Sequence, residues 1–131
     1  MADPKTILVI EDEKNQLLLF QMVLEDENYK VLPCPHIAAA MEILEKNPVD
    51  LILTDVRLPG GDATGFIAQL REAHYHIPIV AVSGYSAYGE YLERHEPMVK
   101  AFFKKPVDMR SLAQSIAEIL QMELRPREKA V

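Results

Sequence analysis

The hydrophobic residues of this chain fall into five short runs separated by longer amphipathic stretches. The runs cover residues 6–10, 29–32, 50–54, 77–82 and 100–103. In the first, third and fourth runs, apolar residues follow one another with little alternation, a pattern typical of strands that are covered on both faces of a parallel sheet. These runs therefore predict five β-strands.

Between the runs, apolar residues recur at helical spacing. In the stretch 15–27, for example, Leu17, Phe20 and Leu24 are three and four residues apart. Similar patterns predict helices over 36–46, 64–73 and 108–122, with a weaker one over 86–95. Asp108 is suited to cap the last helix, because its carboxylate can accept hydrogen bonds from the free N–H groups of the first turn. Strand and helix alternate five times, which predicts a doubly wound α/β domain.

Length and composition set the domain count and class. The chain has 131 residues, of which 49% are hydrophobic and 26% charged. These values suit one globular domain and exclude a disordered or fibrous chain. Residues 125–131 are polar and include a proline, so we expect the domain to cover 1–124 and the last seven residues to form a tail or linker stub.

Charge and cysteine content narrow the possible partners and compartment. The net charge of −6 disfavours direct binding to nucleic acid, which needs a basic surface. The single cysteine, Cys34, cannot form an internal disulfide, as is typical of a reducing compartment. We find no secretory signal and no apolar run long enough to cross a bilayer. The sequence thus predicts a cytoplasmic domain without membrane association.

Polar and charged residues follow four of the five predicted strands. The triplet EDE at 11–13 follows the first, Asp55 the third, Ser83 the fourth, and Lys105 the fifth. Ligands of open α/β sheets bind at the carboxyl ends of the strands, so we expect these side chains to converge there. Lys104 should point to the opposite side of the strand from Lys105, into solvent, because strand side chains alternate.

This combination of groups suits magnesium-dependent phosphoryl transfer. Clustered carboxylates repel one another unless a cation neutralises them, and an oxygen-only ligand set suits Mg²⁺. A carboxylate can attack phosphorus, while an ammonium and a hydroxyl can neutralise the phosphoryl oxygens. Each group alone has an ordinary explanation, since an acidic triplet can be solvated or can cap a helix, and an aspartate often ends a strand in a turn. Their joint occurrence favours a site.

Four segments of the sequence resemble the response-regulator receiver domain of two-component signalling, which has the CheY-like fold. They are ILVIEDE at 7–13, DLILTDVRLPGGD at 50–62, IPIVAVSG at 77–84 and AFFKKP at 101–106. The resemblance extends from residue 5 to about residue 122. It implies a flavodoxin-like three-layer sandwich whose five-stranded parallel sheet has the order 2-1-3-4-5.

The resemblance also implies a role for each matching residue. Asp55 matches the phosphoacceptor, and Ser83 and Lys105 match the two residues that bind the phosphoryl group. The bond between Lys105 and Pro106 would be cis. Phe102 matches the aromatic residue that turns inward on activation, so that Ser83 and Phe102 together would form the switch.

A metal site follows from the same resemblance. Glu11 and Asp12 match the acidic pair that holds Mg²⁺ together with Asp55, and the backbone carbonyl of Arg57 matches the remaining protein ligand. Mg²⁺ is therefore the expected cofactor.

The function implied is that of a phosphoacceptor module. A histidine kinase or a histidine phosphotransfer protein would phosphorylate Asp55. The face formed by the fourth helix, the fifth strand and the fifth helix would then engage an output domain, a downstream protein or a second copy. Such a domain catalyses only its own phosphorylation and dephosphorylation. Two alternatives stay open: an aspartate-nucleophile phosphohydrolase, which generally carries a second aspartate where this chain has Arg57, and a pseudo-receiver that does not depend on phosphorylation.

Two groups of aromatic and imidazole residues lie outside these motifs. Tyr85, Tyr88 and Tyr91 recur every three residues, so they can cover the core beneath a weak helix or form a contact face. His74 and His76 lack a further nitrogen or sulfur ligand nearby in the sequence, and we expect them to be solvated rather than to bind a metal.

Overall fold

The computed structural model describes residues 3–58, 61–84 and 86–122, so the predicted tail and Tyr85 lie outside the described residues. Five parallel strands form the main sheet in the order β2-β1-β3-β4-β5, which confirms the predicted fold. The strands are β1 (Thr6–Ile10), β2 (Lys30–Cys34), β3 (Leu51–Asp55), β4 (Ile79–Ser83) and β5 (Val99–Lys104).

Five helices follow the strands in turn. They are α1 (Lys14–Asp26), α2 (Ile37–Lys46), α3 (Ala63–Glu72), α4 (Ser86–His95) and α5 (Met109–Leu120). The Asp108 carboxylate caps α5 as predicted, accepting from the N–H groups of Arg110 at 3.0 Å and Ser111 at 3.3 Å. None of the helices in the described part of the chain is long and apolar enough to cross a membrane.

The two faces of the sheet carry separate apolar clusters, because successive strand residues point to opposite sides. On one face, Leu8 and Ile10 of β1 belong to a cluster with residues of α2, α3 and α4. On the other, Ile7 and Val9 belong to a cluster with residues of α1 and α5. The domain is therefore a three-layer sandwich, and its central strands are buried on both faces, as their continuous apolar runs predicted.

The second strand differs from its prediction. It was expected to end at residue 32, before the prolines, but it continues through Pro33 to Cys34. The reason is its place at the edge of the sheet. The N–H of Lys30 donates to the carbonyl oxygen of Lys5 at 2.9 Å. The backbone N–H groups of every second residue from Lys30 onward therefore point toward β1. Pro33 occupies an outward-facing position, where the missing N–H removes no hydrogen bond of the sheet.

A further pair of strands, which the sequence did not predict, follows β3. Arg57–Leu58 pairs antiparallel with Gly61–Asp62, directly before α3. The residues of this pair lie close to the carboxyl end of β3. The N–H of Ala63, at the start of α3, donates to the carbonyl oxygen of Val56 at 2.8 Å, so the chain returns to the end of β3 before that helix begins.

Candidate functional site at the carboxyl end of the sheet

The polar residues predicted to converge do lie at one edge of the sheet. Asp55 and Ser83 are the last residues of β3 and β4, while Glu11 and Lys105 directly follow β1 and β5. The N–H of Lys105 donates to the carbonyl oxygen of Ser83 at 2.9 Å, which holds the ends of β4 and β5 together. Four strands thus bring these side chains to the same end of the sheet.

The centre of the site is the ammonium group of Lys105, which bridges two carboxylates. Its Nζ lies 2.6 Å from Oδ2 of Asp55 and 2.7 Å from Oε1 of Glu11. The side chain of Glu11 is 1% exposed and that of Asp55 is 12% exposed, so water screens these ion pairs less than it screens surface pairs. The neighbouring Lys104 is exposed, as predicted.

The second oxygen of each bridged carboxylate is held by the backbone. Oδ1 of Asp55 accepts from the N–H of Arg57, and Oε2 of Glu11 accepts from the N–H of Glu13, both at 3.2 Å. Each carboxylate is therefore bound by Lys105 on one oxygen and by the chain two residues further on through the other. This arrangement fixes the orientation of both groups before any ligand arrives.

Asp12 adds a third carboxylate to the site. Glu11, Asp12 and Asp55 each offer one oxygen, and these oxygens lie within 4.8 Å of one another. Asp12 is exposed, whereas the other two are buried. Within residues 3–58, 61–84 and 86–122, this is the one group of three or more acidic, histidine or cysteine ligands so close together. The ammonium group of Lys105 offsets part of the negative charge of these three carboxylates. A set of ligands made up of oxygen atoms alone fits a hard divalent cation.

The pKa values of the bridged groups reflect this crowding. Burial raises the pKa of Glu11, and the charge of Asp55 adds to the effect against the opposing hydrogen bonds from Lys105 and Glu13. Burial by itself would lower the pKa of Lys105, but its hydrogen bonds to Asp55 and Glu11, with their charges, outweigh it and raise that pKa. Lys105 therefore stays protonated, while the charged form of Glu11 carries a free-energy cost that a bound cation would reduce.

The last carboxylate of the acidic triplet has a structural task. The side chain of Glu13 caps α1, accepting from the N–H groups of Asn15 at 3.1 Å and Gln16 at 2.6 Å. It therefore does not belong to the acidic cluster, in contrast to the two residues before it.

The family of the chain follows from comparison with known proteins. The family model of the response regulator receiver domain matches residues 7–117. The chain belongs to this family. The sensor histidine kinase GacS of Pseudomonas protegens is 31% identical over 124 residues, which are 91% of this chain and 14% of GacS. The polar-differentiation response regulator DivK of Brucella anthropi is 25% identical over 120 residues, 89% of this chain and 97% of DivK.

Solved structures agree with this assignment at the level of the fold. The structure of the response regulator TrrA from Thermotoga maritima, in complex with Mg(2+)-BeF, has a TM-score of 0.77 to this chain. The two share 22% sequence identity, and the match covers 88% of this chain and 98% of the TrrA chain. Relatives of this receiver domain thus include both a sensor kinase, of which the chain spans a small part, and a response regulator of similar length.

The two residues that the resemblance assigns to a switch, Ser83 and Phe102, lie on β4 and β5. Ser83 is 1% exposed at the end of β4. Phe102 is half-buried on β5, three residues before Lys105, and its N–H donates to Oε2 of Glu93 on α4 at 3.1 Å. The bond between Lys105 and Pro106 is cis, as the resemblance implied. Glu93 was not predicted from the sequence, since nothing distinguishes it from other exposed glutamates of a helix.

The tyrosines of α4 divide between the two roles left open for them. Tyr88 is half-buried and packs against the apolar cluster beneath α2, α3 and α4. Tyr91 is 59% exposed, and its ring lies 4.5 Å from that of His95, tilted by 39°. His74 and His76 are both exposed and do not belong to the acidic cluster. On the face of α4, Tyr91 is therefore the tyrosine available for contacts.

Proposed function

We propose that this receiver domain takes a phosphoryl group onto Asp55 from a phosphohistidine donor and that the change alters its face at α4, β5 and α5. The observation that carries the proposal is the Lys105 ammonium held between two buried carboxylates, with a third carboxylate beside them. Structural ion pairs do not need the third carboxylate, whereas phosphoryl transfer needs a nucleophile, a fixed cation and a metal site in one place.

The reaction follows from the groups present. A carboxylate oxygen of Asp55 attacks phosphorus, the phosphorus–nitrogen bond of the donor breaks, and the imidazole leaves with the electron pair. The product is an acyl phosphate. The Lys105 ammonium and the Ser83 hydroxyl donate hydrogen bonds to phosphoryl oxygens. In dephosphorylation, water attacks phosphorus, the bond between phosphorus and the Asp55 oxygen breaks, and inorganic phosphate and the free carboxylate of Asp55 result. In this proposal the domain catalyses only its own phosphorylation and dephosphorylation.

The acidic cluster fits the magnesium ion on which this chemistry depends. Glu11, Asp12 and Asp55 would hold it, with the backbone carbonyl of Arg57 as the further ligand that the family resemblance implies. When bound, Mg²⁺ supplies positive charge that neutralises the phosphoryl oxygens in the transition state. The complex of TrrA with Mg(2+)-BeF supports this reading, because that protein has the same fold.

The two alternatives fit the site less well. A phosphohydrolase of the aspartate-nucleophile class generally has a second aspartate as its acid–base group two residues after the nucleophile, and this chain has Arg57 there. A pseudo-receiver would have no need for the nucleophile, the lysine and all three carboxylates to be kept together. Both alternatives therefore leave part of the site unexplained.

An apolar patch on α1 suits docking of the donor. Leu18, Leu19 and Met22 are 53%, 43% and 60% exposed, and their spacing places them on one side of the helix. Leu18 and Leu19 lie in the first half of α1, which begins directly after the acidic triplet. Exposed apolar patches of this kind mark interaction surfaces. We infer that it binds the helix that carries the phosphohistidine of a histidine kinase or phosphotransfer protein.

The remaining partners and the compartment stay predictions. The half-exposed ring of Tyr91 supports an output domain, a downstream protein or a second copy as occupant of the α4, β5 and α5 face. A cytoplasmic location fits the free thiol of Cys34, which is buried.

The chemistry is tested by intact mass after incubation with acetyl phosphate. We expect a phosphoryl adduct on the wild-type chain with Mg²⁺ and its loss when EDTA removes the ion. The Asp55→Asn variant keeps the size of the side chain but lacks the nucleophile, so it should form no adduct. A full adduct on this variant would rule out Asp55 as the acceptor.

Donor docking is tested separately. We expect Leu18→Gln combined with Met22→Gln to slow transfer from a phosphohistidine donor, while acetyl phosphate, which needs no protein surface, still phosphorylates the variant at the wild-type rate. Equal slowing with both donors would show that the patch supports the fold of the pocket rather than the docking of a partner.

A further inference from the structure

In the interior of α4, the space beside Gly89 is occupied by the aromatic ring of Phe102. A Cβ atom added at Gly89 would lie much closer to Cδ1, Cε1 and Cζ of this ring than van der Waals contact allows. Gly65, inside α3, offers a contrast, because a Cβ added there would meet no atom within 4 Å apart from its chain neighbours and the nearby backbone of its own helix. Glycine is unfavourable in a helix interior, and at residue 89 the ring of Phe102 supplies the reason for it.

The same helix also holds the backbone of Phe102. The N–H of Lys105 faces β4, so the N–H of Phe102, three residues earlier, points away from the sheet. Among the residues that the structure describes, this N–H has no neighbouring strand to donate to, because β5 lies at the edge of the sheet. It donates instead to Oε2 of Glu93 at 3.1 Å. Gly89 and Glu93 are four residues apart and therefore lie on one side of α4.

We infer that Gly89 and Glu93 are positioning residues for Phe102. Gly89 provides the space in which the ring lies, and Glu93 holds the amide of the same residue, so that α4 selects the ring orientation and is tied to β5. The inference rests on the proposed function where it treats Phe102 as the residue that responds to phosphorylation. The packing of Phe102 on α4 stands independently of that proposal.

The spectroscopic test compares two glycine substitutions in the full chain. We expect Gly89→Ala to displace the ring and shift the aromatic NMR resonances of Phe102 without any phosphodonor, while Gly65→Ala leaves them unchanged. With Mg²⁺ and beryllofluoride, the Phe102 resonances of the wild type and of Gly65→Ala should shift, and that response should be lost in Gly89→Ala. Unchanged Phe102 resonances and an intact response in Gly89→Ala would overturn the inference.

A double variant separates loss of ring space from general damage to α4. We expect Gly89→Ala to lower the melting temperature of the wild type but to raise that of the Phe102→Ala variant, because without the ring the substitution only improves helix propensity. A similar fall in both backgrounds would overturn the inference.

Failure of the proposed function would look different. The wild type would then form no acetyl phosphate adduct on Asp55, whereas the comparison between Gly89→Ala and Gly65→Ala would still report on ring packing. If Asp55 is phosphorylated in the wild type and both glycine variants behave alike, the inference about Gly89 is wrong and the proposed function stands.

Discussion

The acidic pocket and the contact between α4 and β5 are held together by opposite kinds of interaction. In the pocket, three carboxylates lie close together and the ammonium group of Lys105 pairs two of them, so the charges are crowded and incompletely balanced. At the contact, a ring fills the space above a glycine and one carboxylate pairs a single amide. We therefore expect the pocket to respond to a bound cation or phosphoryl group, and the contact to respond to a change in available space or to the loss of its hydrogen bond.

The two regions are joined by one strand. Phe102 lies on β5, three residues before Lys105, which directly follows that strand, and β5 pairs along its length with β4, which ends at Ser83. A change in the position of Ser83 or Lys105 therefore acts on the same strand that carries the ring. We therefore expect substitutions in the pocket to change the free energy of unfolding through charge, and substitutions at the contact to change it through packing or one hydrogen bond.

The largest effect expected is that of the metal ion. At roughly a hundredfold excess over its dissociation constant, Mg²⁺ should raise the free energy of unfolding by about 2.7 kcal/mol, because it binds the folded pocket alone. Urea denaturation with and without the ion measures this gain. Asp12→Asn should reduce it and Gly89→Ala should not. An undiminished gain in Asp12→Asn would place the ion elsewhere.

Removing the shared ammonium should have the next largest effect. We expect Lys105→Ala to lower the free energy of unfolding by about 2 kcal/mol, because two carboxylates lose their partner; the value is below that of a fully buried pair since the Lys105 side chain is 25% exposed. The matched control, Lys104→Ala, should cost less than about 0.5 kcal/mol.

Denaturation curves and acetyl phosphate kinetics of the two lysine variants decide the matter. Lys105→Ala should also be phosphorylated more slowly, since a fixed positive charge is missing from the transition state. Equal stability and equal rates for the two variants would mean that the wrong lysine had been placed in the pocket.

Removing the charge of one pocket carboxylate, that of Glu11, should stabilise the fold, in contrast to removing the charge of Lys105. We expect Glu11→Gln to raise the free energy of unfolding by about 1 kcal/mol at neutral pH, because a charge crowded in a functional site lowers stability. Glu90→Gln, on the exposed side of α4, serves as the control and should change little. Lower stability of Glu11→Gln at neutral pH would show that the ion pair with Lys105 outweighs the crowding.

The same variant has a pH dependence of defined sign. Since folding raises the pKa of Glu11, the folded state binds a proton more readily than the unfolded chain, and the destabilising charge is lost as the pH falls through that raised pKa. The difference in free energy of unfolding between Glu11→Gln and the wild type should therefore shrink as the pH is lowered from neutral. A difference that grows on acidification would contradict the raised pKa.

The smallest effect belongs to the contact. Glu93→Ala should cost about 0.5 kcal/mol, because it removes one partly solvated hydrogen bond to the amide of Phe102. Glu90→Ala, on the same helix, makes the same change in helix propensity and provides the reference. We expect hydrogen exchange at the Phe102 amide to become faster in Glu93→Ala and to stay unchanged in Glu90→Ala. Equal exchange in both variants would show that Glu93 does not hold this amide.

The local pattern of the sequence determined the elements and their order along the chain. Continuous apolar runs predicted the buried central strands, helical spacing predicted five helices, and Asp108 was recognised as the cap of α5. The motifs around Asp55, Ser83 and Lys105 identified the family. These features depend on residues close together in the chain, and for that reason they could be predicted without the fold.

Only the tertiary structure decided how neighbouring residues of one type differ. Glu11 is buried against Lys105, Asp12 is exposed at the cluster, and Glu13 caps α1, although the three are consecutive. Likewise, Pro33 is tolerated inside a strand because β2 lies at the edge of the sheet. The space above Gly89 is filled by a ring from another element. Each outcome depends on which segments the fold brings together, and no local pattern contains that information.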